Sequence, residues 1–277
     1  PIQKEQYLIQ TWHGSLGIKR FGPEYDSIKS RVLAAKRAGN YTDLFLSNST
    51  FETKEVASVF WENAEIREWG HARNDLLICQ RYNIKQEVRI RLGIPVNFRI
   101  ALYAPTYRDE KSRDHYQLNY NKLIEALSKR FGGEWIVLIK LHYSMRNYTL
   151  NLKTNPYIKD VSKYSDIQEL MLITDVGITD YSSWIFDFLL TGKPAFIYAD
   201  DIYLYEDERG FYYPLSTTPF PIAQTSDELQ RNIINFDLQN YEHQAKEFLQ
   251  EKGCIEDGLA AHRVVDKITQ LLGKVEG

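Results

Sequence analysis

Short apolar segments alternate along the chain with longer segments whose apolar residues recur at helical spacing. The apolar segments predict strands, namely Tyr7–Trp12, Leu44–Ser47, Arg99–Tyr103, Trp135–Leu141, Asp175–Ile178 and Ala195–Tyr198. The longer segments predict helices, namely Ser27–Ala38, Phe51–Phe60, Gln86–Leu92, Tyr120–Phe131, Ile167–Ile173, Ser183–Leu190, Ser226–Ile234, Tyr241–Leu249 and Gly258–Leu272. This alternation is typical of βαβ units on a parallel sheet. Gly39 is expected to close the first helix, and Ser49 to cap the second.

The alternation falls into two series, which predict two domains. Residues 79–260 contain the strands and helices of a complete doubly wound domain. Residues 1–78 match only the C-terminal part of another such domain, and residues 261–277 form a closing helix. If the two domains face each other, ligands are expected at the carboxyl ends of the strands.

Composition narrows the class of protein. The chain has 277 residues and a net charge of −3, so it is not a polycation built for nucleic acid. Its two cysteines form no CxxC pair, which argues against a disulfide scaffold or a zinc cluster. No apolar run approaches the roughly 18 to 20 residues that span a bilayer. Common P-loop, GxGxxG, HExxH and GxSxG motifs are absent.

The strand-to-helix turn at 179–184 is the first candidate site. Thr179, Asp180, Ser182 and Ser183 lie where a predicted strand ends and a helix begins. Unpaired N–H groups at a helix start favour anions, and the serine hydroxyls add hydrogen-bond donors for phosphate oxygens. A plain helix cap is the alternative, and Asp180 would repel phosphate unless it faces hydroxyl groups of the ligand.

Two histidines follow predicted strands from opposite sides of the expected cleft. His13 precedes Gly14, which allows a sharp turn, and a neutral imidazole at this position could serve as a general base. Lys19 follows closely and could neutralise phosphate. His142 ends the strand of the second domain and could contact a phosphate when protonated. Either histidine could instead have a structural role.

Three further groups of polar residues lie in loops after strands. Thr106 and Arg108 could donate hydrogen bonds to phosphate. Arg209 could also bind a phosphate through its guanidinium, with Glu208 beside it to orient it or to hold a ligand hydroxyl. Asp200 and Asp201 could bind a divalent metal, hydrogen-bond a polyol or cap the strand. A solvated acidic loop is the alternative for residues 206–209.

These segments occur together in one order and spacing. The runs are His13-Gly14, Ala104-Pro105-Thr106-Tyr107-Arg108, Lys140-Leu141-His142, Thr179-Asp180-Tyr181-Ser182-Ser183, Glu208-Arg209-Gly210 and the final Asp257-Gly258-Leu259-Ala260-Ala261-His262-Arg263. In this combination the chain resembles the CDP-glycerol glycerophosphotransferase family, which includes wall teichoic acid primases and polymerases and related capsule polymerases. The resemblance covers nearly the whole chain.

The resemblance implies a GT-B-like α/β fold of two facing Rossmann-like domains, the N-terminal one incomplete. It also implies transfer of an alditol phosphate, most simply glycerol phosphate, from a CDP-alditol to an acceptor hydroxyl, with release of CMP. His13 would be the catalytic base. His142 would be the second catalytic residue, since it could protonate or pair with the departing CMP, and together with Ser182 and Ser183 it would hold the pyrophosphate. Glu208 would face alditol hydroxyls, as would Asp180 in the serine turn. Members usually extend further at the amino end, so a part upstream of Pro1 is expected.

Two departures from the family pattern concern substrate choice. The loop after His13 is one residue longer than the usual His-Gly-Thr-Pro-Leu-Lys, which affects the placement of Lys19. Tyr143 stands where the family usually has proline after Lys-Leu-His. CDP-ribitol or another CDP-polyol therefore stays open as the donor.

The resemblance implies no cofactor and leaves a role for a divalent metal open. The expected partners are the CDP-alditol and a lipid-linked or polymeric acceptor, without nucleic acid. The acceptors of the family are lipid-linked polymers, so the resemblance implies a cytoplasmic, peripheral location at the inner face of the cell membrane. The basic helix Ser27–Ala38 could rest on anionic lipid, and a solvated helix face is the alternative. The alternatives are a GT-B glycosyltransferase that uses a nucleotide sugar, and a non-catalytic binding module of the same fold.

Overall fold

The computed structural model describes residues 6–21, 29–79, 81–106, 118–141, 155–203, 205 and 210–273. Within these residues the chain forms two parallel β-sheets with helices packed around them. Three of the strands belong to the first sheet and six to the second.

The first sheet has the order β1-β2-β3 and lies in the amino-terminal quarter of the chain. Its elements are β1 (Ile9–Gln10), α1 (Lys29–Tyr41), β2 (Leu44–Ser47), a helical segment α2 (α-helical Thr50–Glu52, π-helical Thr53–Ala57 and α-helical Ser58–Phe60) and β3 (Glu65–Glu68). All four residues of β2 are buried, because this strand is central and packs against α2. Ser49 caps α2 as predicted, since its hydroxyl accepts a hydrogen bond from the Glu52 N–H at 3.0 Å.

Short helices connect the two sheets. They are a 3-10 turn at Ala72–Asn74, then α3 (Asp75–Ile78) and α4 (Tyr82–Leu92). Gly93 ends α4 in the left-handed conformation, with φ of 63°.

The second sheet is wholly parallel and has the order β6-β5-β4-β7-β8-β9. Its elements are β4 (Phe98–Tyr103), α5 (Tyr120–Phe131), β5 (Glu134–Ile139), β6 (Ile158–Asp160), α6 (Ile167–Ile173), β7 (Val176–Thr179), α7 (Trp184–Leu189), β8 (Ala195–Tyr198), a 3-10 turn at Leu215–Thr217, β9 (Ile222–Ala223), α8 (Ser226–Ile234) and α9 (Leu238–Glu251). This is the doubly wound Rossmann order. The direction of winding reverses between β4 and β7, and a crevice opens there at the carboxyl ends of the strands.

The core is large because most strands of the second sheet are buried on both faces, as parallel strands between helices must be. A smaller aromatic cluster lies under the first sheet. It is built from Phe45, Phe60 and Trp61, and Trp12 and Phe21 pack against it.

The prediction that Gly39 closes the first helix is wrong, because α1 continues to Tyr41. A Cβ atom on Gly39 would lie 1.7 Å from the backbone carbonyl oxygen of Phe60. The glycine is therefore needed for the close approach of α1 to α2. The Thr42 hydroxyl donates a 2.8 Å hydrogen bond to the Ala38 carbonyl and ends the helix.

Several predicted boundaries also differ. Only Ile9–Gln10 pairs within the predicted strand Tyr7–Trp12, because Trp12 has φ of 50° and turns the chain away. The strand after α5 ends at Ile139, since the Leu141 N–H bonds to the Ser162 hydroxyl at 3.0 Å. Helix α9 begins three residues before the predicted Tyr241, where Asp237 caps it.

The last helix, α10 (Ala260–Gly273), packs beside the first sheet. The carboxylate of Asp75 accepts hydrogen bonds from the N–H groups of Ala260 and Ala261, at 3.1 and 2.7 Å. Lys267 forms an ion pair with Glu65 at 3.1 Å. The closing segment thus returns to the amino-terminal part, while the domain boundaries at 78 and 260 stay predictions.

Candidate active site

The carboxyl ends of β4 and β7 meet at the point where the winding of the second sheet reverses. The Thr106 N–H and hydroxyl both donate to the Asp180 carboxylate, at 2.8 and 2.7 Å. The Thr179 hydroxyl donates to the Ala104 carbonyl at 2.7 Å. Thr106, Thr179 and Asp180 are all buried. Three predicted site residues thus form an internal network that supports the loop after β7.

Ser182 and Ser183 emerge from this network toward solvent. Both are half-buried, and Ser183 immediately precedes α7. Its hydroxyl makes no capping hydrogen bond to the helix. Trp184 is buried beneath the turn, and its indole N–H donates to the Ala104 carbonyl at 2.8 Å. The turn is thus anchored from below, and its two serines face a cavity.

The same cavity is lined on its other side by the loop after β1. Trp12 adopts φ of 50°, a left-handed conformation that non-glycine residues rarely adopt and that clusters at functional sites. Its ring lies 4.4 Å from the His13 ring and 5.3 Å from that of Trp61, centroid to centroid. Gly14 is required here, because a Cβ atom would lie 2.7 Å from the Trp12 indole nitrogen. The turn therefore presents His13 to the cavity.

Lys19 lies farther along this loop, where the loop after β1 contacts the segment between β8 and β9. It forms an isolated antiparallel bridge with Phe211, and the Arg20 guanidinium donates to the Phe211 carbonyl at 2.9 Å. The Lys19 ammonium lies 5.3 Å from the centroid of the Tyr205 ring. The Tyr213 hydroxyl also donates to the Leu16 carbonyl at 2.6 Å. These contacts fix one wall of the cavity against the other.

The cavity is partly open to solvent and measures about 330 Å³, which is within the range of small-molecule sites. It is lined by Trp12, His13, Gly14, Ser15, Gly17, Ile18, Lys19, Arg20, Phe21, Val56, Tyr181, Ser182, Ser183 and Tyr212. Four predicted site residues, His13, Lys19, Ser182 and Ser183, thus share one cavity. Arg108, His142, Glu208 and Arg209 lie outside the described residues, so their predicted roles stay predictions.

The electrostatics of the cavity favour a neutral imidazole. His13 keeps part of its surface open to solvent at the cavity. Partial desolvation by the surrounding loop lowers the pKa of His13, and the positive charge of Arg73 lowers it further. A histidine with a lowered pKa carries a free lone pair at neutral pH, which a general base requires.

Sequence reasoning missed Arg73. This arginine lies in the 3-10 turn between β3 and α3, far in sequence from any strand end of the second sheet. Its guanidinium contacts the loop that carries His13 and also Asp187 in α7. No local motif signals this role, because the partners are brought together only by the fold.

The Asp200-Asp201 pair is one of the predicted candidates for metal binding. The Asp201 carboxylate accepts a 2.7 Å hydrogen bond from the Tyr181 hydroxyl. Within the described part of the chain, no group of three His, Cys, Asp or Glu side chains is arranged to hold a metal ion.

A cavity between two parallel α/β units, with a candidate base on one wall and hydroxyl donors on the other, is the arrangement of a GT-B-like transferase. The structure aligns over its full length with 71% of the chain of the wall teichoic acid polymerase TagF, with a TM-score of 0.84 and 29% identity. The TagF structures include a variant with one histidine replaced by asparagine, soaked with CDPG. The fold prediction is confirmed.

The family model described as CDP-glycerol:poly(glycerophosphate) glycerophosphotransferase matches residues 1–270, and the chain belongs to this family. The resemblance drawn from the sequence and the prediction of a transferase enzyme are thereby confirmed.

Individual relatives agree with the family. The teichoic acid glycerol-phosphate transferase of Staphylococcus aureus is 32% identical over 94% of this chain and 70% of its own length. The teichoic acid poly(glycerol phosphate) polymerase of Staphylococcus epidermidis is 31% identical over 96% of this chain but only 39% of its own length. The teichoic acid poly(ribitol-phosphate) polymerase of Bacillus spizizenii is 30% identical, and the chain spans 44% of it.

Proposed function

We propose that this chain transfers glycerol phosphate from CDP-glycerol to a hydroxyl group of a polymeric or lipid-linked acceptor and releases CMP, in teichoic acid synthesis. The observation that carries the proposal is the shared cavity. His13 lies on one wall, and Ser182 and Ser183 lie on the other. The family membership and the glycerol-phosphate relatives support the same donor.

In this proposal His13 acts as the general base. The acceptor hydroxyl gives its proton to the neutral imidazole while its oxygen bonds to the phosphorus that carries glycerol. The bond from that phosphorus to the bridging oxygen breaks, and CMP leaves with the electron pair. Phosphoryl transfer of this kind depends mainly on positioning and on stabilisation of negative charge.

The serine hydroxyls and Lys19 would stabilise that charge. Ser182 and Ser183 are placed to donate to phosphate oxygens, and the Lys19 ammonium adds positive charge to the same cavity. Thr106, Thr179 and Asp180 make hydrogen bonds within the protein, so we assign them to shaping the serine loop rather than to direct contact.

The remaining predicted roles are taken from the resemblance. His142 would contact the pyrophosphate and could pair with the departing CMP. Glu208 would face alditol hydroxyls, and Arg108 and Arg209 would contact phosphate.

A donor-binding and transfer assay tests the proposal. Titration calorimetry would compare CDP-glycerol, CDP-ribitol and UDP-N-acetylglucosamine, and release of CMP would be followed with a polymeric acceptor. Ser183→Ala removes one hydrogen bond to a charged group, worth about 1.5–3 kcal/mol, so affinity should fall by roughly 10- to 150-fold. Ser216→Ala is the matched control, because this serine is exposed and does not line the cavity.

The outcomes separate the candidates. Binding and turnover of CDP-glycerol that depend on Ser183 and His13 support the proposal. Preference for CDP-ribitol would change only the alditol, which the similarity to the ribitol-phosphate polymerase makes the second candidate. Exclusive use of the UDP-sugar would indicate a glycosyltransferase. Binding of none of the three would overturn the proposal in favour of a non-catalytic role or a different donor.

The location at a membrane surface is also a proposal. In the described part of the chain, no helix is both long enough and apolar enough to cross a bilayer. Helix α1 exposes Leu33, Lys36 and Arg37, a combination suited to an anionic surface. Sedimentation with anionic vesicles should weaken in a Lys36→Glu/Arg37→Glu variant, and equal sedimentation of both proteins would refute this role for α1.

A further inference from the structure

We propose that Arg73 is a positioning residue that holds the His13 loop at a fixed distance from the serine turn. The inference rests on the proposed function for its catalytic consequence, but its geometric basis is independent of the donor. Arg73 contacts the loop that carries His13 and the helix that follows Ser183 at the same time.

On the loop side, Arg73 donates hydrogen bonds to the backbone on both sides of His13. One terminal nitrogen donates to the Trp12 carbonyl at 3.4 Å, and the other donates to the Gly14 carbonyl. The guanidinium is planar, so two donors in fixed geometry hold two carbonyls in fixed relation. Trp12 has φ of 50°, a conformation that persists only where surrounding contacts enforce it. Arg73 supplies two of those contacts.

On the helix side, Arg73 pairs with Asp187. Its Nε donates to Asp187 Oδ2 at 2.9 Å, and one terminal nitrogen lies 3.4 Å from Oδ1. Asp187 lies four residues after Ser183, one turn into α7. Asn74 donates to Asp187 Oδ1 at 3.0 Å and to Glu256 at 2.8 Å, which fixes the carboxylate in turn. One guanidinium therefore connects the two walls of the cavity.

The contacts of Arg73 distinguish it from a substrate ligand. It does not line the cavity but lies behind the loop, and Nε and both terminal nitrogens already donate within the protein. A residue in this position acts through His13 and α7. A displacement of the base by about 1 Å can lower a rate by roughly a hundredfold, so a support of this kind has a kinetic effect.

The charge of Arg73 has a second effect on His13. Among the described residues, the charged or titratable groups that line its cavity are Lys19, Arg20, Tyr181 and Tyr212. Behind its loop lie Arg73 and the carboxylates whose charges act on Arg73, namely Asp187, Glu52 and Glu256. Partial desolvation is the main cause of the lowered pKa of His13, and the charge of Arg73 is the second. Loss of the Arg73 charge should raise the pKa of His13. The imidazole would then become protonated, and inactive as a base, at a higher pH than in the wild type.

Two substitutions separate the geometric effect from the charge effect. R73K keeps the positive charge but loses the planar fork, so we expect kcat for transfer to fall roughly a hundredfold with the acid limb of the pH profile unchanged. R73M loses both, so we expect a similar fall in kcat and an acid limb moved to higher pH. R130M is the matched control, because Arg130 also donates twice to a carbonyl, that of Phe236, away from the cavity.

Nuclear magnetic resonance titration of the His13 ring in the full chain gives a readout that does not need the reaction. The His13 signal is assigned by its loss in His13→Asn. We expect the His13 pKa to rise in R73M and to stay near the wild-type value in R130M. If the wild type does not use CDP-glycerol, the proposed function fails while this titration still tests the Arg73 contact.

The inference is overturned if folded R73M shows the wild-type kcat, or if its His13 titration is the same as in the wild type. Should R73M fail to fold, R73K decides the matter, because wild-type kcat in R73K shows that the fork is not needed. A fall in melting temperature alone, with kcat and pH profile unchanged, would make Arg73 a purely structural residue.

Discussion

Gly177 in β7 lies directly beneath α7, and we expect Gly177→Ala to displace the serine turn. A Cβ atom at this position would lie 2.8 and 2.9 Å from two ring carbons of Phe188 and 3.2 Å from the Trp184 ring. Both aromatic residues belong to α7, and both are buried. The glycine therefore allows α7 to pack closely on the sheet, and α7 follows immediately after Ser183.

The magnitude follows from these distances. Carbon atoms pack at roughly 3.5–4.0 Å, so relief of a 2.8 Å contact requires the helix or the Phe188 ring to move by about 1 Å. Overpacking of this kind costs about 1–3 kcal/mol. For a protein of this size each kcal/mol lowers the melting temperature by roughly 2–4 °C, which gives a fall of about 2–12 °C. A shift of about 1 Å at Ser183 should reduce transfer by roughly a hundredfold.

The assay compares melting temperature and transfer kinetics of Gly177→Ala with those of Gly192→Ala. Gly192 follows α7 with φ of 69° and has open space around its missing Cβ. Alanine there should lower the free energy of unfolding by about 1–2 kcal/mol, because it must adopt the left-handed conformation, and it makes no steric contact with α7. We expect Gly192→Ala to lose stability and keep activity, and Gly177→Ala to lose both. Wild-type transfer kinetics in folded Gly177→Ala would refute the reasoning.

Three further predictions concern stability and reactivity. Cys254 is half-buried, and desolvation raises the pKa of its thiol to about 12. A thiol reagent near neutral pH should therefore label the exposed Cys79 in the native protein and both cysteines only after denaturation. Equally fast labelling of both cysteines in the native protein would contradict this prediction. Burial lowers the pKa of Lys193 to about 8, so above that pH the unfolded chain binds more protons than the folded one. The free energy of unfolding of the wild type relative to Lys193→Met should therefore rise by about 3 kcal/mol from roughly pH 7.5 to 10.5. The same difference between the two proteins in urea unfolding at both pH values would exclude this. Gly39→Ala should lower the free energy of unfolding by about 3 kcal/mol or more, because the new Cβ atom would clash with the backbone carbonyl of Phe60. An unchanged denaturation midpoint would show that α1 can move away from Phe60.

Several elements could be predicted because their signals are local. The helices Tyr120–Phe131, Ile167–Ile173 and Ser226–Ile234 have the predicted bounds, since each has apolar periodicity and a capping residue directly before its first residue. The strand Ala195–Tyr198 is a continuous apolar run. Parallel strands bring their carboxyl ends to one edge of each sheet, and two facing domains turn these edges toward one cleft. His13, Ser182 and Ser183 could therefore be expected near that cleft.

The sequence by itself thus determined the alternation of strands and helices, the parallel sheets, the family and the polar residues at strand ends, because each depends on short-range pattern or on motif order. Only the tertiary structure decided which residues support the site. Arg73 and Asp187 are 114 positions apart, and Gly39 and Gly177 matter through close contact with other elements. Such roles depend on what the fold places opposite a residue, which periodicity and spacing along the chain do not encode.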